Sequence, residues 1–383
     1  MKKSTSRSKS ILFVTHDMGF FVSHRLPIAI AAQENGYRVA IVGPSGNNTD
    51  TLNEHRIRHI PLEIPKGLMR PGRLALVIFD LARIFERNKP TLVHLVASKP
   101  VILGGIVARA MRIPSVGAIS GLGHVFIEDG FKAKVLRRVV LFGYRLALSG
   151  RESHAIFQNE SNRSLFVSNG VNPERTVLIR GSGTDISRFD PSPNQNIVPV
   201  VLLPARMLWT KGVREFCEAA RYLVAGGIKA RFRLIGGPYP GNPASIDPHT
   251  LEALIKEGPV EWDGHVSNIA GAMHESDIIV LPSYSEGFPK TLIDAAAAGR
   301  ATVTTDVPGC RDAIEPGVTG LLVRKQDSLD LSMKIRQLID NAELRRSLGA
   351  NGRAMAERSF SIEKIVGQHL DLYEKIAGRS IGG

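Results

Sequence analysis

Short runs of valine, isoleucine and leucine alternate with longer amphipathic segments along almost the whole chain, and nothing else in the sequence constrains the fold so tightly. That pattern belongs to parallel α/β sheets, whose strands are buried on both faces and joined by crossover helices. In the first half the predicted strands are Ile11–Thr15, Arg38–Val42, Thr91–Leu95, Ser115–Ile119, His154–Gln158 and Thr176–Ile179. In the second half they are Val198–Leu203, Arg231–Ile235, Val260–Trp262, Ile278–Leu281, Ala301–Thr304 and Gly320–Val323. Predicted helices between them include Ser23–Asn35, Val101–Met111, Val213–Ala225 and Lys290–Ala298. The pattern restarts after Asp190-Pro191-Ser192-Pro193-Asn194-Gln195-Asn196, a polar, proline-bearing stretch that reads as a linker. At 383 residues the chain is too long for one core. Two domains are expected, residues 1–190 and 197–360, with a closing helix over 361–380 that returns to the first. Ligands of open α/β sheets bind at the C-terminal ends of the strands. The expected architecture is therefore two Rossmann-like domains facing each other across a cleft.

Charge divides the halves. Residues 1–190 hold 27 lysines and arginines against 14 acids, whereas 191–383 hold 22 of each. The entire net charge of +13 thus falls on the first half, as expected where one half meets a polyanion or an anionic surface. Within it, 131–151 reads FKAKVLRRVVLFGYRLALSGR, with Lys132, Lys134, Arg137, Arg138, Arg145 and Arg151 and no acid. A basic amphipathic helix of this kind suits an anionic bilayer. Lys66 to Lys89 adds Arg70, Arg73, Arg83 and Arg87. Cys217 and Cys310 lack any CxxC spacing and read as reduced thiols of a cytoplasmic protein. The basic start precedes too short an apolar run for a secretory signal, and Asp80 and Arg83 interrupt the Leu74–Phe85 stretch.

Chemistry concentrates at two strand-to-helix loops. In the first, Pro204-Ala205-Arg206-Met207-Leu208-Trp209-Thr210-Lys211-Gly212 follows the strand ending at Leu203. In the second, the strand ending at Leu281 leads through Ser283-Tyr284-Ser285-Glu286-Gly287-Phe288 into a helix starting near Pro289. A helix N-terminus attracts a diphosphate, and two cations beside it neutralise a leaving phosphate group. No Asp-x-Asp and no His/Cys cluster with ligand spacing occurs, so no metal and no other cofactor is expected.

Together these residues resemble family-4 retaining glycosyltransferases of the GT-B fold, over essentially the whole chain. Arg206, Lys211 and Gly212 match the family's Arg-x4-Lys-Gly element. Glu286 matches the first acid of its Glu-x7-Glu marker, with Asp294 in the second place. Gly181–Asp185, Asp306–Asp312 and Gly317–Val323 are similar too, and Ser120–Phe126 resembles the subgroup that builds bacterial surface polysaccharides and lipid-linked oligosaccharides. The resemblance implies that Arg206 and Lys211 hold the donor diphosphate, helped by the helix start at Gly287, Phe288, Lys290, Thr291 and Leu292. Glu286 would contact the transferred sugar, Asp294 the ribose, and His265 and Val266 would lie near the nucleobase. His124, in a glycine-rich turn, is either a contact to sugar or acceptor or a rim residue, and His16, Asp17, Gly19 and His24 are acceptor-side candidates. The implied reaction moves a hexosyl or N-acetylhexosaminyl group, with retention, from a UDP-type nucleotide sugar to a polyprenyl-diphosphate-linked saccharide or similar polysaccharide acceptor. The implied location is the inner face of the cytoplasmic membrane, as a peripheral protein. Two rivals remain: a sugar-nucleotide epimerase of the same fold class, and a nucleic-acid-binding protein. The pI near 9.9 favours the second, but 6% aromatic residues and no recognisable nucleic-acid motif argue against it.

Overall fold

The computed structural model describes residues 9–46, 48–65, 70–121, 126, 130–193, 196–256 and 258–379. Two compact units emerge: one runs to Ser182 and resumes at Ile365, and the other is Gly183–Lys364.

The first unit is built on seven parallel strands, β1 (Ser10–Val14), β2 (Arg38–Gly43), β3 (Arg58–Pro61), β4 (Leu92–Val96), β5 (Ser115–Ile119), β6 (Ser153–Phe157) and β7 (Thr176–Leu178). Their order is β3-β2-β1-β4-β5-β6-β7. Ile11 lies opposite Val39 on one side and Leu92 on the other, so β1 is central and its neighbours lead away in both directions. β1, β4, β5 and β6 are buried at every position, because helices cover both faces of the sheet. The second unit repeats the plan with β8 (Val200–Pro204), β9 (Arg231–Ile235), β10 (Val260–Trp262), β11 (Ile278–Leu281), β12 (Ala301–Thr305) and β13 (Gly320–Val323). Its order, β10-β9-β8-β11-β12-β13, is again the doubly wound one. In such sheets the crevice opens where the order reverses, between β1 and β4 and between β8 and β11.

Three details differ from the sequence reading. β3 was not expected; its Arg-His-Ile-Pro carries one aliphatic residue and a proline, a composition a sheet tolerates only at an edge. The helix expected at Ser23–Asn35 is two, Met18–His24 and Leu26–Glu34, because Pro27 opens a new helix after Arg25. The chain enters the second unit at Gly183, ahead of the proline-rich stretch. Thr184 exchanges backbone hydrogen bonds with Phe360 and Ile362, and Phe189 is buried in that unit's core.

The closing helix Ile362–Arg379 packs Ile365, Leu372, Tyr373 and Ile376 into the first unit's core with Ile11, Phe13 and Tyr37. Under it lies a buried polar cluster. His94 Nδ1 is 2.6 Å from the Tyr373 hydroxyl, and His369 Nδ1 donates to the Ile365 carbonyl at 2.8 Å. Arg25 is 1% exposed beside them. Burial, with the guanidinium as like charge, holds the His94 pKa well below its usual value and pushes that of His369 down to about 3. Arg25 itself falls to about 10 through burial. Both imidazoles therefore fold neutral but protonate in the unfolded chain below about pH 6.5. Each contributes stability above that pH that is lost as pH drops toward the folded value, at up to about 1.4 kcal/mol per pH unit. His369→Met should flatten the decline in stability between pH 6 and 4 by that amount. Denaturant titrations at stepped pH check this, and an unchanged slope would contradict it.

Candidate active site

The second unit's switch point assembles the charged residues picked out from sequence. β8 ends at Pro204 and passes through Arg206 into a short turn, Trp209–Lys211, before the helix Val213–Ala225. β11 ends at Leu281 and passes through Glu286 into the helix Lys290–Ala297. The two loops are laced together. Gly212 has φ 74°, and a Cβ there would stand 2.3 Å from the Pro282 carbonyl oxygen, so only glycine permits this approach. The Tyr284 amide donates to the Thr210 carbonyl at 2.9 Å. Lys211 donates to Glu286 in an ion pair whose side chains are only 17% and 12% exposed. Gly309, also at positive φ, lies against the carbonyls of Glu286 and Gly287 and backs the second loop. Cys310 is buried beneath it, its thiol pushed up to about 12 by burial and by Glu286, and Cys217 is raised likewise by burial. Neither thiol is therefore a nucleophile.

Arg206 is exposed on the same loop, with its guanidinium 4.5 Å from the centre of the Tyr239 ring. A cation resting on an aromatic face is oriented while its N–H groups stay available. The neighbouring strand ends close the arrangement. Gly236, at φ 129°, leaves room for the Ala205 carbonyl and donates to Gly264 O at 2.6 Å. This fixes the turn in which His265 is exposed and Val266 half-buried.

Asp294, for which the resemblance implies a ribose contact, lies on the helix Lys290–Ala297. It is 7% exposed, and its Oδ1 accepts from Lys290 Nζ at 2.7 Å and from the Thr184 hydroxyl at 2.6 Å. Lys290 also reaches Thr184 at 3.3 Å. The shorter aspartate side chain is thus tied to its own helix and to the chain entering the unit. Thr184 was quoted from sequence only as part of a glycine-rich run; its carboxylate partner lies 110 residues away and is visible only in three dimensions. Leu292 is fully buried, Phe288 packs edge-on against Phe360, and the Thr291 hydroxyl donates to Pro204 O at 3.1 Å. These three side chains support the helix start from behind.

In the first unit, Asp17 caps the helix Met18–His24 by accepting from the Phe20 amide at 3.0 Å. His16, Asp17 and Gly19 line a cavity of about 310 Å³ with Asn48 and Glu63 at the C-terminal ends of β1 and β2. His24 is not part of that lining; it stacks on Phe20 at 4.2 Å. His124 lies outside the described residues. Among the described residues no three His, Cys, Asp or Glu side chains gather to hold a metal ion.

Two doubly wound units, with a cation-and-carboxylate pair at the second one's switch point, form the arrangement that the resemblance to GT-B glycosyltransferases implies. Comparison with known proteins agrees. Residues 10–159 match the family described as glycosyl transferase 4-like, and residues 198–341 match glycosyl transferases group 1. The N,N'-diacetylbacillosaminyl-diphospho-undecaprenol alpha-1,3-N-acetylgalactosaminyltransferase of Campylobacter jejuni is 31% identical over 378 residues, covering 95% of this chain and 98% of that protein. The UDP-Gal:alpha-D-GlcNAc-diphosphoundecaprenol alpha-1,3-galactosyltransferase of Escherichia coli is 24% identical over 77% of this chain and 78% of its own length. Among solved structures, Anabaena Alr3699/HepE in complex with UDP and glucose superposes with a TM-score of 0.76 at 19% identity, over 94% of this chain and 98% of that one. The chain belongs to the family-4 glycosyltransferases of the GT-B fold, in the group that builds bacterial surface polysaccharides.

Proposed function

We propose that the protein transfers a hexosyl or N-acetylhexosaminyl unit, with retention, from a UDP-type nucleotide sugar to a polyprenyl-diphosphate-linked saccharide. The observation that carries this reading is the Lys211–Glu286 pair, with Arg206 on the same loop as Lys211, ahead of a helix at the β8/β11 switch point. A departing nucleoside diphosphate gains negative charge in the transition state, and preorganised cations with a helix N-terminus stabilise that change most. Glu286 holds the Lys211 ammonium in place until phosphate shares it, and Arg206 on its tyrosine supplies the second cation. This charge balance works without a metal, and the diphosphate leaves as the acceptor attacks from the same face of the sugar. His265 and Val266 would border the nucleobase. The cavity lined by His16, Asp17 and Gly19 would take the acceptor. The relatives' names support the acceptor class, because two of them act on diphospho-undecaprenol-linked sugars. The epimerase alternative is not favoured by relatives named as transferases.

The acceptor is a lipid, and the basic first unit offers a surface for its membrane. On the helix Phe131–Leu148, Phe131, Val135, Val139, Phe142 and Leu146 are all exposed, Phe131 at 81%. Spaced three or four residues apart, they form one stripe. Lys132, Lys134, Arg138 and Arg145 lie on the same helix. Only Ala133, Tyr144, Ala147 and Leu148 of this helix are buried. We read this as a peripheral contact with the anionic inner face of the cytoplasmic membrane, combining insertion with charge. Among the described residues no helix is long and apolar enough to cross a bilayer.

Two experiments follow. Arg206→Ala and Lys211→Ala should each lower turnover on the order of 100-fold, the usual cost of losing one transition-state donor, while EDTA leaves wild-type transfer unchanged. An enzyme silenced by EDTA and restored by manganese would overturn the assignment. The protein should also sediment with anionic vesicles, each basic residue adding about 1 kcal/mol. Replacing Lys134, Arg137 and Arg138 together by glutamate should abolish this without loss of UDP-sugar binding; equal sedimentation of both proteins would refute the membrane contact.

A further inference from the structure

Glu215 stands on the first turn of the helix Val213–Ala225, is 6% exposed and takes no part in the charge pair described above. Its Oε1 accepts from the Tyr284 hydroxyl at 2.6 Å, and its Oε2 has no hydrogen-bond partner among the described residues. A buried carboxylate with a single neutral donor is an expensive choice where a leucine would pack at no electrostatic cost. Such departures from local economy concentrate where a site demands them.

Tyr284 is the residue this carboxylate holds, and it joins three strand-end loops of the second unit. Its own loop follows β11 and carries Glu286 two residues on. Its amide is tied to Thr210, next to Lys211, and its hydroxyl to Glu215, in the first turn of the helix that follows Gly212. From the loop after β13, Lys325, next to Gln326, places its ammonium 5.7 Å from the ring centre. Gln326 adopts φ 58°, a left-handed conformation unfavourable for a glutamine and sustained only where the surroundings enforce it.

We propose that Tyr284, gripped through its hydroxyl by Glu215 and through its amide by Thr210, is a positioning residue that sets Glu286 against Lys211. The proposal rests on the transferase reading for its kinetic consequence, but the clamp itself is a structural claim that can be read without substrate. One hydrogen bond of this kind corresponds to about a ten-fold change in a local opening equilibrium.

The test compares Tyr284→Phe, Glu215→Leu and Glu215→Gln in the full chain. Deuterium exchange of the amides at 283–287, without substrate, should speed up about ten-fold in Tyr284→Phe and Glu215→Leu. Glu215→Gln still presents an oxygen to the hydroxyl and should stay within about two-fold of wild type. For sugar transfer, the same two variants should lose about ten-fold in kcat with donor KM within about two-fold, and the glutamine variant should be spared. Wild-type exchange in Tyr284→Phe overturns the clamp, as does faster exchange with kcat unchanged, which would mark a structural tie only. Equal losses in Glu215→Gln and Glu215→Leu also overturn it, because charge rather than geometry would then matter. Tyr284→Phe removes one oxygen atom and carries the test if Glu215→Leu folds poorly. A wild type that transfers no sugar would sink the transferase reading alone, since exchange still decides the clamp.

Discussion

The close approach of two loops at the β8/β11 switch point is the constraint on which the second unit's chemistry depends. Parallel strands on either side of a topology reversal diverge into helices on opposite faces, leaving a gap that side chains can enter. Here Gly212 closes that gap to backbone distance by leaving out a Cβ that would meet the Pro282 carbonyl. Once the backbones touch, Lys211 and Glu286 are neighbours although 75 residues separate them. The ion pair is thus a consequence of sheet topology and one glycine. Its poor exposure to solvent keeps the ammonium paired with Glu286 rather than spread among rotamers.

The first unit solves a different problem with the same architecture. Its sheet is closed on one face by a helix from the far end of the chain, and that helix sets His369 and Tyr373 against Arg25 and His94 rather than against an all-aliphatic surface. The neutral imidazoles make this seat sensitive to acid. On a helix of the same unit, large apolar side chains point to solvent among lysines and arginines. A monomeric surface rarely leaves such a stripe uncovered. The same unit therefore carries a tightly seated helix and an open, basic one.

Much of this was legible in the sequence, for physical reasons. Parallel strands are buried on both faces and advertise themselves as apolar runs, so every strand except β3 lies within a few residues of its expected place. β3 failed because an edge strand needs little apolar surface, and Arg58-His59-Ile60-Pro61 shows almost none. The loops bearing Arg206, Lys211 and Glu286 were legible because strand, polar loop and helix are contiguous. Partners supplied from elsewhere were not: Thr184 for Asp294, Glu215 and Lys325 for Tyr284, Tyr239 for Arg206. At Asp294 the i, i+4 pairing with Lys290 is visible in the sequence, whereas the Thr184 hydroxyl is not. The basic helix was recognised from its charge; which of its apolar residues face outward required the packing of Ala133, Tyr144 and Ala147 beneath it.

The central claim is that this arrangement lets a nucleoside diphosphate depart while the sugar is delivered to a lipid-linked acceptor on the face it leaves. The anomeric configuration of the newly formed bond tests that directly, read from proton couplings in the isolated lipid-linked product after incubation with an α-linked UDP-sugar. The account requires the new linkage to be α, like that of the donor. A β linkage, or a donor converted to another sugar nucleotide with no new glycosidic bond, would contradict it.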